Sequence, residues 1–278
     1  MRIPKNFQFS QKSLSDYAAC KRLFKYRYLD KIEWPAVEIE PVKEREHRMK
    51  LGADFHRALQ QFFVGVPREN IENQFADALL SKWWRNLESS LDKIIGKDDI
   101  QLPEVRISAP IKEHRFIAKL DLIVVKPDGR RIIFDWKTSS KRPNLTILSN
   151  HMQTRVYPYL LLSAGDHVYP WEKFSPQQVE MVYWFAEHPG NPEKIIYSEV
   201  QFQEDEDYLN GLVSEICVLT KLNFHKTDDE RRCRLCVYRS LCDRGIEAGN
   251  FEEIEDLYLE DTGVENEFDF DQITEIEY

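Results

Sequence analysis

The chain has 278 residues, 42% of them hydrophobic and 12% aromatic, and a formal net charge of −10. That length can bury a full core in one large domain or two small ones, and that composition excludes a disordered chain. No apolar run reaches the length of a membrane span, and the N-terminus lacks the apolar stretch of a signal peptide, so a cytoplasmic protein with no membrane partner is expected. The charge is unevenly placed. From Phe251 to Tyr278 there are twelve Asp or Glu and no Lys or Arg, and removing these twelve leaves 36 acidic against 38 basic residues, a formal +2. Residues 1–250 therefore read as the folded domain. Residues 251–278 read as an acidic tail, solvated or docking a protein partner. Basic residues cluster at both ends of the domain: Lys21, Arg22, Lys25 and Arg27 early, and Arg231, Arg232, Arg234, Arg239 and Arg244 late. Composition thus permits a nucleic-acid partner.

In chain order, Ser13 or Ser15 is expected to cap a helix on which Leu14, Tyr17, Ala18, Phe24 and Tyr28 recur at helical spacing. Prolines bracket a linker at Trp34–Pro41. Helices follow at Lys43–Phe63 and Ile71–Leu91. The period then changes to strands at Val105–Ile107 and Phe116–Val125, a Lys126-Pro127-Asp128-Gly129 turn, and a returning strand at Arg131–Lys137. A helix over Thr146–Leu162, strands at Val179–Ala186 and Ile195–Val200, and a helix over Asp205–Leu222 complete a mixed α/β domain with helices flanking a central sheet. The chain has no phosphate-binding G-x-x-x-x-G-K-[ST] loop, which argues against an ATP-driven motor.

Three of the five cysteines, Cys233, Cys236 and Cys242, are spaced C-x2-C-x5-C. Thiols so dense in a reducing compartment point to a metal, either zinc or an iron–sulfur cluster, and both need four donors. Cys20 is the expected fourth. Cys217 shares an apolar helix face with Leu212, Val213 and Ile216 and reads as core.

"IIFDWKTS", Ile132–Ser139, runs from apolar residues into Asp135, Trp136 and Lys137, so the carboxylate and the ammonium share one strand face. Alone, that is a surface ion pair of little worth. Asp121 changes the balance. It is the only acid in "FIAKLDLIVV", one tight turn away, and two adjacent carboxylates repel unless a cation such as Mg²⁺ or Mn²⁺ neutralises them.

Asp121 followed by Asp135-Trp136-Lys137 resembles the core of the PD-(D/E)XK nuclease superfamily. Three further features resemble its RecB-like branch: "LGADFHRAL" with Gly52 and His56, "QTRVY" with Gln153 and Tyr157, and the divided cysteine set of its iron–sulfur members. Those members include AddB-type repair nucleases and CRISPR-associated RecB-like exonucleases. The match spans Cys20 to Cys242. Ala118 replaces a usual glycine, Pro158 directly after Tyr157 predicts a kink or restart in the motif helix, and Glu104, ahead of the first strand, is a further acid the resemblance brings in.

The resemblance implies a restriction-endonuclease-like sheet and a metal-dependent exonuclease acting on DNA ends or single strands, in repair, recombination or CRISPR adaptation. His56, Asp121, Asp135 and the Trp136 carbonyl would hold Mg²⁺ or Mn²⁺, and Asp121, Asp135 and Lys137 would be catalytic. Gln153 and Tyr157 would contact nucleic acid or brace the lysine, and Arg231 and Arg232 would form a phosphate-binding rim. Cys20, Cys233, Cys236 and Cys242 would carry a [4Fe–4S] cluster, with zinc as the alternative. The rival function is a cluster-stabilised DNA-binding or scaffold subunit in a repair or CRISPR-adaptation complex.

Overall fold

A computed structural model of the chain describes residues 3–32, 40–165, 173–219, 223–245 and 249, without the side chains of 40–46 and 92. The acidic tail 251–278 and most of the expected linker lie outside these residues. Glu40 and Pro41 already belong to a helix.

Six strands form one mixed sheet: β1 (Gln8–Ser10), β2 (Ile100–Ile111), β3 (His114–Val125), β4 (Arg131–Lys137), β5 (Val179–Phe185) and β6 (Glu193–Ile196). The spatial order is β1-β3-β4-β5-β6, with β2 along the other edge of β3. β1 and β3 are parallel, as are β4 and β5, and the remaining pairs are antiparallel. One edge of β3 serves two neighbours: residues 115–117 pair with β1 and residues 122–125 pair with β4. Residues 118–121 fall between these two ladders, and that gap places Asp121.

Helices cover both faces. On one side, α1 (Gln11–Ala19), α7 (Met152–Ala164) and α8 (Glu199–Val218) bury Leu14, Val156, Leu160 and Val213 against the sheet. On the other, α3 (Glu40–Phe63) and α5 (Ala78–Ile94) pack Phe55, Trp83, Trp84 and Leu87 on Leu122, Phe134, Trp136 and Trp184. The central strand β4 is buried along its whole length, as expected of a strand covered on both faces.

Several boundaries correct the expectations. Ser10, not Ser13 or Ser15, caps α1: its hydroxyl accepts from Ser13 N at 3.1 Å, and Ser13 Oγ accepts from Ser10 N at 2.9 Å, a reciprocal box. The first helix is not continuous, because Cys20 adopts φ −162° and separates α1 from α2 (Lys21–Phe24) and the π-helical turn Lys25–Leu29. The expected Ile71–Leu91 helix is split into α4 (Arg68–Glu72) and α5, because Asp77 caps a new helix by accepting from Leu79 N at 2.7 Å. Asn144 starts α6 (Leu145–Ser149) and a second break precedes α7, so Thr146–Leu162 is also two helices. Pro158 sits inside α7, which runs on past it, so no restart follows Tyr157. Ser198 caps α8, which begins at Glu199 and takes Val200 out of the expected last strand. The first core strand is twelve residues long rather than three, and β2 and β3 join through a two-residue turn at Lys112 with φ 53°.

Candidate active site

β3 changes its facing at Asp121. Phe116 and Leu120 lie in the core layer under α7, whereas Leu122 and Val124, of the same parity, lie under α3. β2 does the same opposite: Leu102 packs on the first layer, and so do Val105 and Ile107, of opposite parity. Between them Glu104 takes φ +54° at the level of Asp121, where the regular pairing skips one position without shifting register. Such a left-handed backbone is strained for glutamate and is characteristic of functional sites. Glu104 therefore lies within β2 rather than ahead of the first strand. Its carboxylate pairs with Lys119, and burial, with the Asp121 charge opposing its ionisation, raises its pKa despite that pairing.

The β3–β4 ladder ends at Leu122 opposite Phe134, one pair short of Asp121 opposite Asp135. Instead of continuing the ladder, Trp136 N donates to Asp121 Oδ2 at 3.1 Å. Asp121 Oδ1 lies 3.4 Å from His56 Nδ1, which reaches across from α3. Burial opposes ionisation of Asp121, but His56, the Trp136 N–H and Lys137 outweigh it and hold the carboxyl below the usual range. The Trp136 indole points the other way, stacked with Phe134 and Phe63.

On the opposite face of β4, Lys137 Nζ forms an ion pair with Asp135 Oδ2 at 2.8 Å and donates a hydrogen bond to Gln153 Oε1 at 2.7 Å. Gln153 Nε2 in turn donates to Tyr157 OH at 3.3 Å, one turn along α7. All four residues are buried. Gln153 thus contacts Lys137, and Tyr157 contacts Gln153. His56 with Asp121, and Asp135 with Lys137, stand as two adjacent pairs joined through the Trp136 backbone. Among the described residues no three His, Cys, Asp or Glu side chains converge as a ready single-ion site.

Gly52 explains how α3 reaches the site. A Cβ there would lie 2.9 Å from Thr138 Oγ1, just past the end of β4, so any larger residue must displace the Thr138 hydroxyl for the helix carrying His56 to approach as closely. Gly52→Ala is expected to cost about 1–3 kcal/mol of stability, as overpacking does. Thr138→Ala in the same chain should recover most of that loss in a denaturant titration. A Gly52→Ala protein as stable as the parent contradicts the contact.

His151, two residues before Gln153, was not anticipated as part of the site. It is fully buried, and burial together with the Lys137 ammonium pushes its pKa from 6.5 to about 3. The unfolded chain takes up this proton near pH 6.5, and the folded chain only near pH 3. The stability that depends on neutral His151 is therefore complete above the unfolded value and is lost as pH falls toward the folded one. Acidification from pH ~7 to pH ~5 should lower the Tm of the parent more steeply than that of His151→Gln, and equal slopes would refute this.

The cysteine segments also meet. Arg22 N donates to His225 O and Arg22 Nε to Phe224 O, both at 3.1 Å, and Tyr238 OH donates to Ile32 O at 2.9 Å. Burial raises the thiol pKa values of Cys233, Cys236 (to about 11) and Cys242, and negative charge at Cys20 would raise each further, but among the described residues no three of these thiols converge as a group that holds a metal. Cys217 packs against the core from α8, as expected. The basic clusters are engaged with acids. Lys21 pairs with Glu215, Lys25 with Asp30, Arg27 with Asp16, Arg244 with Glu230, and both Arg231 and Arg232 with Asp229.

Together, the sheet and the paired side chains at its centre set out a D…D-x-K arrangement on two adjacent strands. A family model of the PD-(D/E)XK nuclease superfamily matches residues 8–243, and the chain belongs to that superfamily. Its nucleases are generally metal-dependent hydrolases. No curated protein matches the chain. Among solved structures, one described as SSO0001 is 15% identical, covering 88% of this chain and 89% of that one, with a TM-score of 0.43. Another, from Eubacterium rectale and provisionally named an exonuclease, is 10% identical over 76% of this chain and 80% of its own, with a TM-score of 0.49. No helix among the described residues is long and apolar enough to cross a membrane.

Proposed function

We propose that the protein is a divalent-cation-dependent deoxyribonuclease that hydrolyses phosphodiester bonds at DNA ends or in single strands, as an exonuclease. One arrangement carries this reading: Lys137 is held between Asp135 and Gln153, while Asp121 on the neighbouring strand is kept anionic by His56 and the Trp136 N–H. His56, Asp121, Asp135 and the Trp136 carbonyl would hold the ion. Their imidazole, carboxylate and carbonyl donors suit Mg²⁺ or Mn²⁺. When bound, such an ion supplies Lewis acidity and lowers the pKa of water. Lys137 keeps a positive charge where negative charge develops on the phosphate. Gln153 fixes that ammonium, and Tyr157 fixes Gln153.

The reading places the domain at 1–250 with the tail 251–278 available to a protein partner, and assigns the chain to the RecB-like branch in repair, recombination or CRISPR adaptation. It includes a [4Fe–4S] cluster on Cys20, Cys233, Cys236 and Cys242, supported by the hydrogen bonds that join the two cysteine-bearing segments. Arg231 and Arg232 would exchange Asp229 for DNA phosphates at the rim.

The test is incubation of the protein with end-labelled single- and double-stranded DNA, with Mn²⁺, Mg²⁺ or chelator. Metal-dependent release of label from ends supports the reading. Cleavage undiminished by chelator, or no cleavage with either metal, removes it.

A further inference from the structure

Lys137 is a buried ammonium whose charged partner, Asp135, is itself an expected ligand for a divalent ion. A second kind of partner, one that no cation can take, lies on the neighbouring strand. Tyr183 is paired with Asp135 in the parallel β4–β5 ladder and is fully buried, and Lys137 Nζ lies 5.5 Å from the centre of its ring. That separation is within the range of a cation–π contact, which gains strength where water is excluded.

The ring is pinned. Tyr183 OH is 2.7 Å from Thr154 Oγ1, and Thr154 Oγ1 is 2.5 Å from Leu148 O. A threonine hydroxyl has one proton, and here it is given to the Leu148 carbonyl. Tyr183 must therefore be the donor to Thr154. The edge of the buried His151 ring meets Tyr183 at 6.5 Å and 83°. Tyr183 is thus fixed by its strand, by α7 through Thr154, and by the helix start through His151. A group so constrained can hold another to the tolerance that catalysis needs.

We propose that Tyr183 is a positioning residue for Lys137, its ring face holding the ammonium in place while its hydroxyl anchors the ring to Thr154. This rests on the reading of Lys137 as the catalytic lysine. Tyr183→Phe retains the ring, and Tyr183→Leu removes it. A pure stability effect is represented by Met181→Ala, a fully buried change on the same strand and in the same core layer.

The experiment measures cleavage kinetics, Mn²⁺ affinity by calorimetry, and the ε-methylene resonances of isotopically labelled lysine in the full chain without added divalent metal. In the parent and Tyr183→Phe, the Lys137 ε-methylene signal, identified by its loss in Lys137→Arg, should be displaced upfield by the ring. In Tyr183→Leu it should return to the ordinary lysine position. Tyr183→Leu should lose roughly tenfold or more in kcat with KM and Mn²⁺ affinity unchanged, and Tyr183→Phe should recover most of that loss. Met181→Ala should lower Tm without moving kcat.

An undisplaced Lys137 signal in the parent overturns the proposal. So does a Tyr183→Leu protein with parental kcat, or a Tyr183→Phe protein as impaired as Tyr183→Leu. If Tyr183→Leu fails to fold, the parent resonance and Tyr183→Phe decide alone. A parent that shows the displaced signal but cleaves no DNA refutes the nuclease reading while leaving the lysine's placement intact.

Discussion

Asp135→Asn should reduce DNA cleavage by at least ~10²–10³-fold, the scale on which enzymes lose rate when one electrostatic group of the site is removed. The protein should remain folded. The amide keeps an oxygen where Asp135 Oδ2 now lies 2.8 Å from Lys137 Nζ, but it removes the anionic charge that a divalent ion requires. Asp135→Ala is a poorer probe, for a reason visible in the burial. The side chains of Lys137 and Asp135 are only 6% and 3% exposed, so either variant removes the counter-charge of a buried ammonium, but alanine also leaves it facing no oxygen there, whereas asparagine keeps an acceptor. Breaking such a pair from one side costs about 3–5 kcal/mol. That is a large part of the 5–15 kcal/mol by which domains are stable, and lost folding would pass for lost chemistry. Cleavage of end-labelled DNA and urea unfolding should therefore be measured on both variants. An asparagine variant within tenfold of the parent in turnover rules out Asp135 as an essential group. An alanine variant as stable as the parent rules out the buried-pair account.

Cys20→Ser should abolish the visible absorbance and iron content of anaerobically purified protein and lower its stability by about 5 kcal/mol. The magnitude follows from the length of chain a cluster would close. Cys20 and Cys233 are more than two hundred residues apart, and loop-closure entropy for a cross-link of that span is of that order. The hydrogen bonds from Arg22 to Phe224 and His225, and from Tyr238 to Ile32, already join the two segments, so the loss should be partial unfolding of this corner rather than of the sheet. Cys217→Ser, on α8 and packed on the core, should keep colour and iron. A colourless parent prepared without oxygen, with zinc in place of iron, would replace the cluster by zinc. A Cys20→Ser protein with unchanged iron would remove Cys20 from the ligand set.

Much of this protein was determined by local sequence. β3, β4 and β5 were legible because apolar runs of strand length end in turn signals such as Pro127-Asp128-Gly129. Asp135 and Lys137 could be placed on one strand face from their spacing, with Asp121 one tight turn away, whereas His56, Gln153 and Tyr157 entered only as what the resemblance implies. The misplaced boundaries were also local in origin. Asp77 and Ser198 are helix caps hidden inside apolar periodicity, and β2 was shortened by Pro103 and Pro110. β1 has three residues and exists because Phe116 and its neighbours offer it an edge.

The tertiary structure alone decided who holds whom. That Lys137 rests on Gln153, that Tyr183 stands beside the ammonium, and that Glu104 turns left-handed opposite Asp121 all follow from register between separate elements. The crowding at residue 52 appears only when the hydroxyl of Thr138, eighty-six positions later, comes within 2.9 Å of where its Cβ would be. Spacing along a chain sets the period of a helix or strand. Contacts between distant elements depend on how their buried faces pack, and no single segment carries that information.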